Sequence, residues 1–107
     1  MVLKMNVESI IAVIADWEER SKYIMQICEG VSKLKNIPIE IKKEDYDFLV
    51  TYGEKDEFGG VEIPQVFIKL KNGIIKHVMT KIPDNEKGMP DIEMGIKQLL
   101  EKIEKEG

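Results

Sequence analysis

The feature that most constrains the fold is an unbroken apolar run of six residues, Ile10 to Ala15. A strand with one wet face alternates apolar and polar residues, whereas a continuous run is typical of a strand covered on both faces. The run is far shorter than the roughly 20 residues of a membrane span, and charged residues follow it from Asp16 onwards. It therefore predicts a strand buried between two layers.

A helix is predicted directly after this strand, opening over Trp17 to Ser21. Its apolar positions follow helical spacing and are Tyr23, Ile24, Ile27, Cys28, Val31 and Leu34. Gly30 lies inside this run and costs up to about 1 kcal/mol relative to alanine, so the helix is expected to weaken there. Asn36 and Pro38 mark its end.

A half-buried strand and a short helix come next. Ile37, Ile39 and Ile41 alternate with polar or imino residues, which is the period of a strand with one apolar face. Asp45 is expected to cap a second helix, because a carboxylate there can accept a hydrogen bond from the first turn. The apolar and aromatic residues of this helix are Tyr46, Phe48, Leu49 and Tyr52.

The remaining residues predict a hairpin and a last helix. Strands over Ile63 to Leu70 and Ile74 to Met79 flank Asn72-Gly73, a strong hairpin turn. The last helix runs from about Asp91 to Glu104, and its inward residues are Ile92, Ile96, Leu99, Leu100 and Ile103. The predicted order is β-α-β-α-β-β-α, an α/β fold with a mixed central sheet flanked by helices. Met1 to Val7 is a candidate extra N-terminal edge strand.

Length and charge limit the domain count and the partners. A chain of 107 residues predicts one domain, residues 1–107. The net charge of −4, from 16 basic and 20 acidic residues, argues against a nucleic-acid surface or an acidic lipid headgroup, because both need clustered positive charge. Arg20 is the only arginine beside many lysines and glutamates, which fits a heat-adapted source or an AT-rich genome equally well.

Cysteine usage indicates a reducing compartment. Cys28 is the only cysteine, so neither an internal disulfide nor a cysteine-based zinc site is expected. The N-terminus lacks a signal-peptide pattern, and a cytoplasmic location is expected.

Several local motifs resemble the thioredoxin family. Phe58 to Pro64 is similar to the family's aromatic-Gly-x-x-x-Ile-Pro segment, and Lys71-Asn72-Gly73 is similar to its hairpin turn. Thr80-Lys81-Ile82 resembles the stretch that closes the next strand, and Trp17 resembles the tryptophan before the active-site helix. The resemblance implies a thioredoxin-like core with a cis peptide bond before Pro64. It also implies that the Ile63 backbone faces a groove where the family docks an extended peptide.

The departures from the family pattern concern its redox chemistry. The positions of the family's Cys-x-x-Cys motif hold Glu18, Glu19, Arg20 and Ser21. Glutamate and serine supply no thiolate and form no disulfide. The position of the family's buried acid is Ala12, and Pro83 stands where the family usually has glycine. The resemblance therefore implies a redox-inactive member.

The expected function is a protein-interaction module that binds an extended segment of a partner protein. The candidate binding residues are Trp17, Glu18, Glu19, Arg20, Ser21, Ile63, Pro64 and Ile82. The alternative is a monothiol or glutathione-dependent thiol enzyme that uses Cys28 or the Pro64 turn. A structural role as a subunit or homodimer is the third reading. No cofactor or metal is expected, since the acidic turn from Asp84 to Gly88 lacks the ligand spacing of a calcium loop.

The sequence leaves two structural interpretations open for the residues at the start of the first helix and gives one expectation each for Cys28 and His77. Glu18, Glu19 and Arg20 form either a charged rim of the groove or a solvated first helical turn. Trp17 is either an exposed anchor or packed against Pro64 or Ile82. Cys28 on an apolar stripe is expected to be a buried, inert thiol. His77, the only histidine, is expected to be structural or on the surface.

Overall fold

A computed structural model describes residues 6–106. The elements are β1 Val7–Ile14, α1 Arg20–Lys35, β2 Ile39–Lys43, α2 Tyr46–Tyr52, β3 Gln65–Leu70, β4 Ile75–Met79 and α3 Ile92–Glu106. Their order is the predicted one. The candidate N-terminal edge strand falls mostly outside the described residues, and Val7 itself begins β1.

The four strands of residues 6–106 form one mixed sheet in the order β2-β1-β3-β4. β1 pairs parallel with β2 and antiparallel with β3, and β3 pairs antiparallel with β4. The parallel pair requires a crossover, which α1 supplies, and the antiparallel pair β3–β4 is joined by a hairpin. The predicted α/β class with a mixed sheet is confirmed.

The apolar run of β1 is buried because the sheet carries a core on each face. Ile10, Ala12 and Ile14 pack into the larger core, together with buried residues of α1 and α3. Ile11 and Val13 pack into the smaller core with Leu49 of α2 and Phe67 of β3. Successive side chains of a strand point to opposite faces, so only an all-apolar strand can supply both cores.

The first helix begins later than predicted and does not weaken at Gly30. Residues before Arg20 form a turn, in which the amide of Glu18 donates to the Ala15 carbonyl at 3.1 Å. Gly30 lies within an uninterrupted helix and faces Ile96 of α3. The helix ends at Asn36, whose backbone is left-handed at φ 54° and whose amide donates to the Ser32 carbonyl.

Leu34 and Ile41 are examples of predicted apolar positions that are exposed rather than buried. Leu34, the last residue of the predicted apolar stripe in α1, is 66% exposed. Ile41 in β2 is 50% exposed, although Ile37 before it is buried. β2 lies at the edge of the sheet, so its far end has neighbours on one side only.

The turns form where the sequence predicts them. The Asp45 carboxylate accepts a hydrogen bond from the Phe48 amide at 3.0 Å and caps α2. Gly73 in the β3–β4 turn has φ 91°, and its amide donates to the Leu70 carbonyl at 2.8 Å. The strand predicted from Ile63 begins at Gln65 because Ile63 and Pro64 form the preceding turn, and the peptide bond between them is cis.

Candidate functional site

The candidate site lies around the turn that connects β1 to α1. Ser21 is buried, and its hydroxyl accepts a hydrogen bond from the Ala15 amide at 3.1 Å. This bond ties the first turn of α1 to the end of β1. The buried Ser21 hydroxyl thus stabilises the turn and is not a free surface group.

Trp17 projects from this turn, and a hydrogen bond holds the N–H edge of its indole ring. Its side chain is 63% exposed, and its indole N–H donates to a carboxylate oxygen of Glu44 at 2.9 Å. Beside it, the Lys43 ammonium lies 3.3 Å from the Asp16 carboxylate. Of the two readings for Trp17, the structure has the exposed one. The bond to Glu44, just after β2, limits the orientations of the ring and leaves its apolar face open to solvent.

Arg20 joins the start of α1 to the Ile63-Pro64 turn. Its guanidinium Nη2 donates to the Ile63 carbonyl at 3.1 Å, and its Nε donates to Glu18 Oε1 at 3.2 Å. The Glu18 carboxylate also accepts from the Arg20 amide, and these bonds hold the pKa of Glu18 below its ordinary value. Arg20 therefore connects two segments that are 43 residues apart in the chain.

An open depression of about 410 Å³ lies beside these groups. Its walls come from the end of β1, the connecting turn and the first two turns of α1, and its lining includes Trp17, Glu18, Glu19, Ser21, Lys22 and Met25. Arg20 links this depression to Ile63 and so to the Pro64 turn. Ile82 instead packs, half-buried, against the larger core. Of the predicted site residues, four line the depression: Trp17, Glu18, Glu19 and Ser21. Arg20 bonds to Ile63, and Ile63 and Pro64 are themselves buried and do not line the depression.

The depression carries charge but no thiol. Cys28 is fully buried in the larger core. Burial, with a smaller effect from the negative charge of Glu29, raises the pKa of Cys28 to about 12. The nucleophilic thiolate is therefore scarce at neutral pH. Within residues 6–106, no group of three or more His, Cys, Asp or Glu side chains is placed to hold a metal ion, and no helix is long and apolar enough to cross a membrane.

A second polar cluster surrounds His77 and was not predicted from the sequence. His77 Nε2 lies 2.6 Å from Thr80 Oγ1, and its ring meets the Phe67 ring edge-on at 5.5 Å between centroids. Glu54 and Lys102 line the same cavity of about 230 Å³. Burial lowers the pKa of His77, and Lys102 adds to this, while Glu54 opposes it. The only sequence signal was a histidine three residues before a threonine, which is too common to predict a site.

The comparisons with known proteins come to one finding. No protein family, no curated protein and no solved structure matched the chain.

Proposed function

We propose that this protein is a redox-inactive interaction module of the thioredoxin type, which binds an extended segment of a partner protein between the Trp17 turn and the Ile63-Pro64 turn. The strand order β2-β1-β3-β4, with α1 as the crossover of the parallel pair β1–β2, supports the fold assignment. The motif residues around Trp17 and Pro64 support the placement of the groove. The proposed partner is a protein or peptide, and the site needs no cofactor.

The observation that carries the proposal is the exposed, oriented indole of Trp17. A large aromatic side chain that is 63% exposed and hydrogen-bonded through its only polar atom offers an apolar surface at low cost in side-chain entropy. Trp17 lines a depression whose other walls mix charged and apolar groups. Such a surface suits a peptide side chain at its centre and polar contacts at its rim.

Arg20 defines how a peptide would engage the Pro64 turn. The thioredoxin resemblance makes the Ile63 carbonyl the acceptor for an extended backbone. Here Ile63 is buried, and the Arg20 guanidinium donates to its carbonyl at 3.1 Å. An incoming peptide N–H would displace this contact, while Arg20 keeps its pairing with Glu18. Binding therefore exchanges one hydrogen bond for another at the carbonyl. The burial of Cys28 gives the alternative thiol enzyme weaker support than the interaction module.

The test is selection of binding peptides from a random-sequence display library, followed by mapping of their site by amide NMR shifts. We expect the shifts to cluster at residues 15–21 and 62–65, and Trp17→Ala to weaken binding at least about tenfold, as for an interface anchor. Leu34→Ala is the matched control, because Leu34 is similarly exposed at the other end of α1. Peptides that map elsewhere, or that bind Trp17→Ala as tightly as the wild type, would contradict the proposal.

A further inference from the structure

The two edges of the sheet differ in how open they are. At the β4 edge, the Val78 carbonyl accepts a hydrogen bond from the Lys102 ammonium at 2.6 Å. No strand within residues 6–106 pairs with the outer side of β2 or of β4. The exposed side chain of Ile41 lies on β2. β2 therefore combines an accessible backbone with an exposed apolar residue.

Hydrogen bonds to β1 show which backbone groups of β2 point outward. The Ile10 amide donates to the Pro38 carbonyl at 2.9 Å, and the Glu44 amide donates to the Ile14 carbonyl at 2.8 Å. The groups that face a given neighbour alternate along a strand, so Glu40 and Lys42 also face β1. The residues whose backbone groups face away from the sheet are Ile39, Ile41 and Lys43.

We propose that β2 pairs antiparallel with β2 of a second copy of this chain, with the two-fold axis at Ile41. In this register Ile41 lies opposite itself, and Ile39 lies opposite Lys43 of the second copy. Each of these is a hydrogen-bonded pair of an antiparallel ladder, and such a pair exchanges two backbone bonds. A shift of the axis to Glu40 or Lys42 leaves fewer of the outward groups paired. The dimer extends the sheet continuously across both copies.

Charge complementarity selects the same register. With the axis at Ile41, Glu40 of each copy lies opposite Lys42 of the other, in the closely spaced non-hydrogen-bonded pairs. An axis at Glu40 would place two glutamates face to face, and an axis at Lys42 would place two lysines face to face. Like charges directly opposite one another are destabilising. The charges of residues Ile39 to Lys43 are therefore complementary to those of an antiparallel second copy in one register, with the axis at Ile41.

The residues at the two ends of β2 limit the length of the paired segment. Pro38 has no backbone N–H, and its carbonyl already accepts from Ile10. Glu44 has a left-handed backbone at φ 48°, which ends the strand. Five paired residues form a contact about 17 Å long. Such a contact buries less surface area than a standard interface, so the dimer is weak and concentration-dependent. The two-fold pairing uses up the β2 edge in both copies and closes the assembly.

Sedimentation velocity on charge-swapped variants tests the proposal. We expect wild-type protein to pass from monomer to dimer between about 1 μM and about 1 mM, the range of a weak interface. E40K and K42E should each raise the dimer dissociation constant about tenfold or more, because every cross-strand pair becomes repulsive. An equimolar mixture of the two variants should dimerise again, since an acidic edge then faces a basic one. Within each chain, the Lys42 ammonium and the Glu40 carboxylate also lie 3.7 Å apart, and the loss of this ion pair persists in the mixture, so only pairing between copies is restored.

Cross-linking tests the register independently of affinity. Ile41→Cys should give a covalent dimer with a short bismaleimide cross-linker, because the introduced thiols face each other across the axis. Ile39→Cys alone should not, since it faces Lys43 of the second copy, and wild type controls for Cys28. A wild type that stays monomeric throughout, a dimer indifferent to both charge swaps, or equal cross-linking at positions 39 and 41 would overturn the proposal.

Discussion

Single residues at the start of α1 already have internal partners. The Ala15 amide donates to the Ser21 hydroxyl, and the Trp17 indole N–H donates to the Glu44 carboxylate. The Arg20 guanidinium donates to the Ile63 carbonyl. Because the first two contacts fix the Ser21 and Trp17 side chains in the free protein, the proposed binding would lose little conformational entropy at these residues. The Arg20 contact is the one that the proposed peptide would displace. The one cysteine and the one histidine lie away from this surface, and each gives a prediction of its own.

Cys28 should react slowly in the folded protein. A pKa of about 12 leaves about a thousandfold less thiolate at neutral pH than an ordinary cysteine has, and burial blocks access as well. We expect the reaction with a disulfide reagent at pH 7 to be at least about a thousandfold slower in the native protein than in denaturant. Comparable rates in both states would revive the monothiol enzyme.

His77 should make stability depend on pH near neutrality. Its pKa is lowered in the folded state, first by burial and then by Lys102, against the opposing effect of Glu54. The unfolded chain then binds the proton more readily, so this contribution is complete above the ordinary pKa of about 6.5 and is lost as the pH falls through the folded-state pKa. Urea unfolding should show wild type losing stability relative to His77→Gln as the pH falls below about 6.5. Parallel pH profiles for the two proteins would contradict this.

At the scale of elements, α1 and α3 approach closely through two glycines. A Cβ at Gly30 would lie 2.6 Å from Cδ1 of Ile96, and a Cβ at Gly95 would collide with Ile27. The two isoleucine side chains differ in how far they can move, because Ile27 is fully buried while Ile96 is only partly buried at the border of the core. Gly30, expected from the sequence to weaken the helix, is instead part of a tight helix contact.

Alanine at these two positions should therefore have different effects. Gly95→Ala gains the helix preference of alanine, about 1 kcal/mol, but forces Ile27 to move within a packed core at a cost of about 1–3 kcal/mol. It should therefore lower the free energy of unfolding by up to about 2 kcal/mol. Gly30→Ala meets the flexible end of Ile96, and the helix preference of alanine, about 1 kcal/mol, offsets that contact. Urea unfolding of both variants measures the difference, and equal destabilisation would show that Ile96 is as constrained as Ile27.

The elements were largely predictable because their signals are local. The apolar run at Ile10, the cap at Asp45 and the turn at Asn72-Gly73 each act over a few residues. The exposure of Ile41 could not be predicted, because it depends on β2 lying at an edge. The bond from Arg20 to Ile63 depends on how α1 sits over the Pro64 turn, and periodicity carries no information about that contact.

At the scale of the whole molecule, the two faces of the sheet are unequally covered. The larger core takes buried residues from α1, α3 and all the strands except β2, while the smaller core takes one buried helical residue, Leu49 of α2. α2 has seven residues, and a helix of that length has little stability of its own. Its attachment to β3 rests on Leu49 and on the partly buried Phe48, whose ring lies 5.0 Å from that of Phe67.

This asymmetry predicts two levels of hydrogen-exchange protection. Amides of β1 and β3 lie between both cores and should exchange only by global unfolding. Amides at α2, such as Gly53, which donates to the Leu49 carbonyl at 2.8 Å, should exchange through a local opening at least about 2 kcal/mol lower in free energy. Native-state exchange at low urea separates the two cases, because a local opening exposes little surface and responds weakly to urea. Amides of α1 are the internal control, since this helix buries four residues in the larger core. If Gly53 instead follows the urea dependence of β1 from zero denaturant, α2 unfolds with the rest of the molecule and the smaller core is as firmly attached as the larger one.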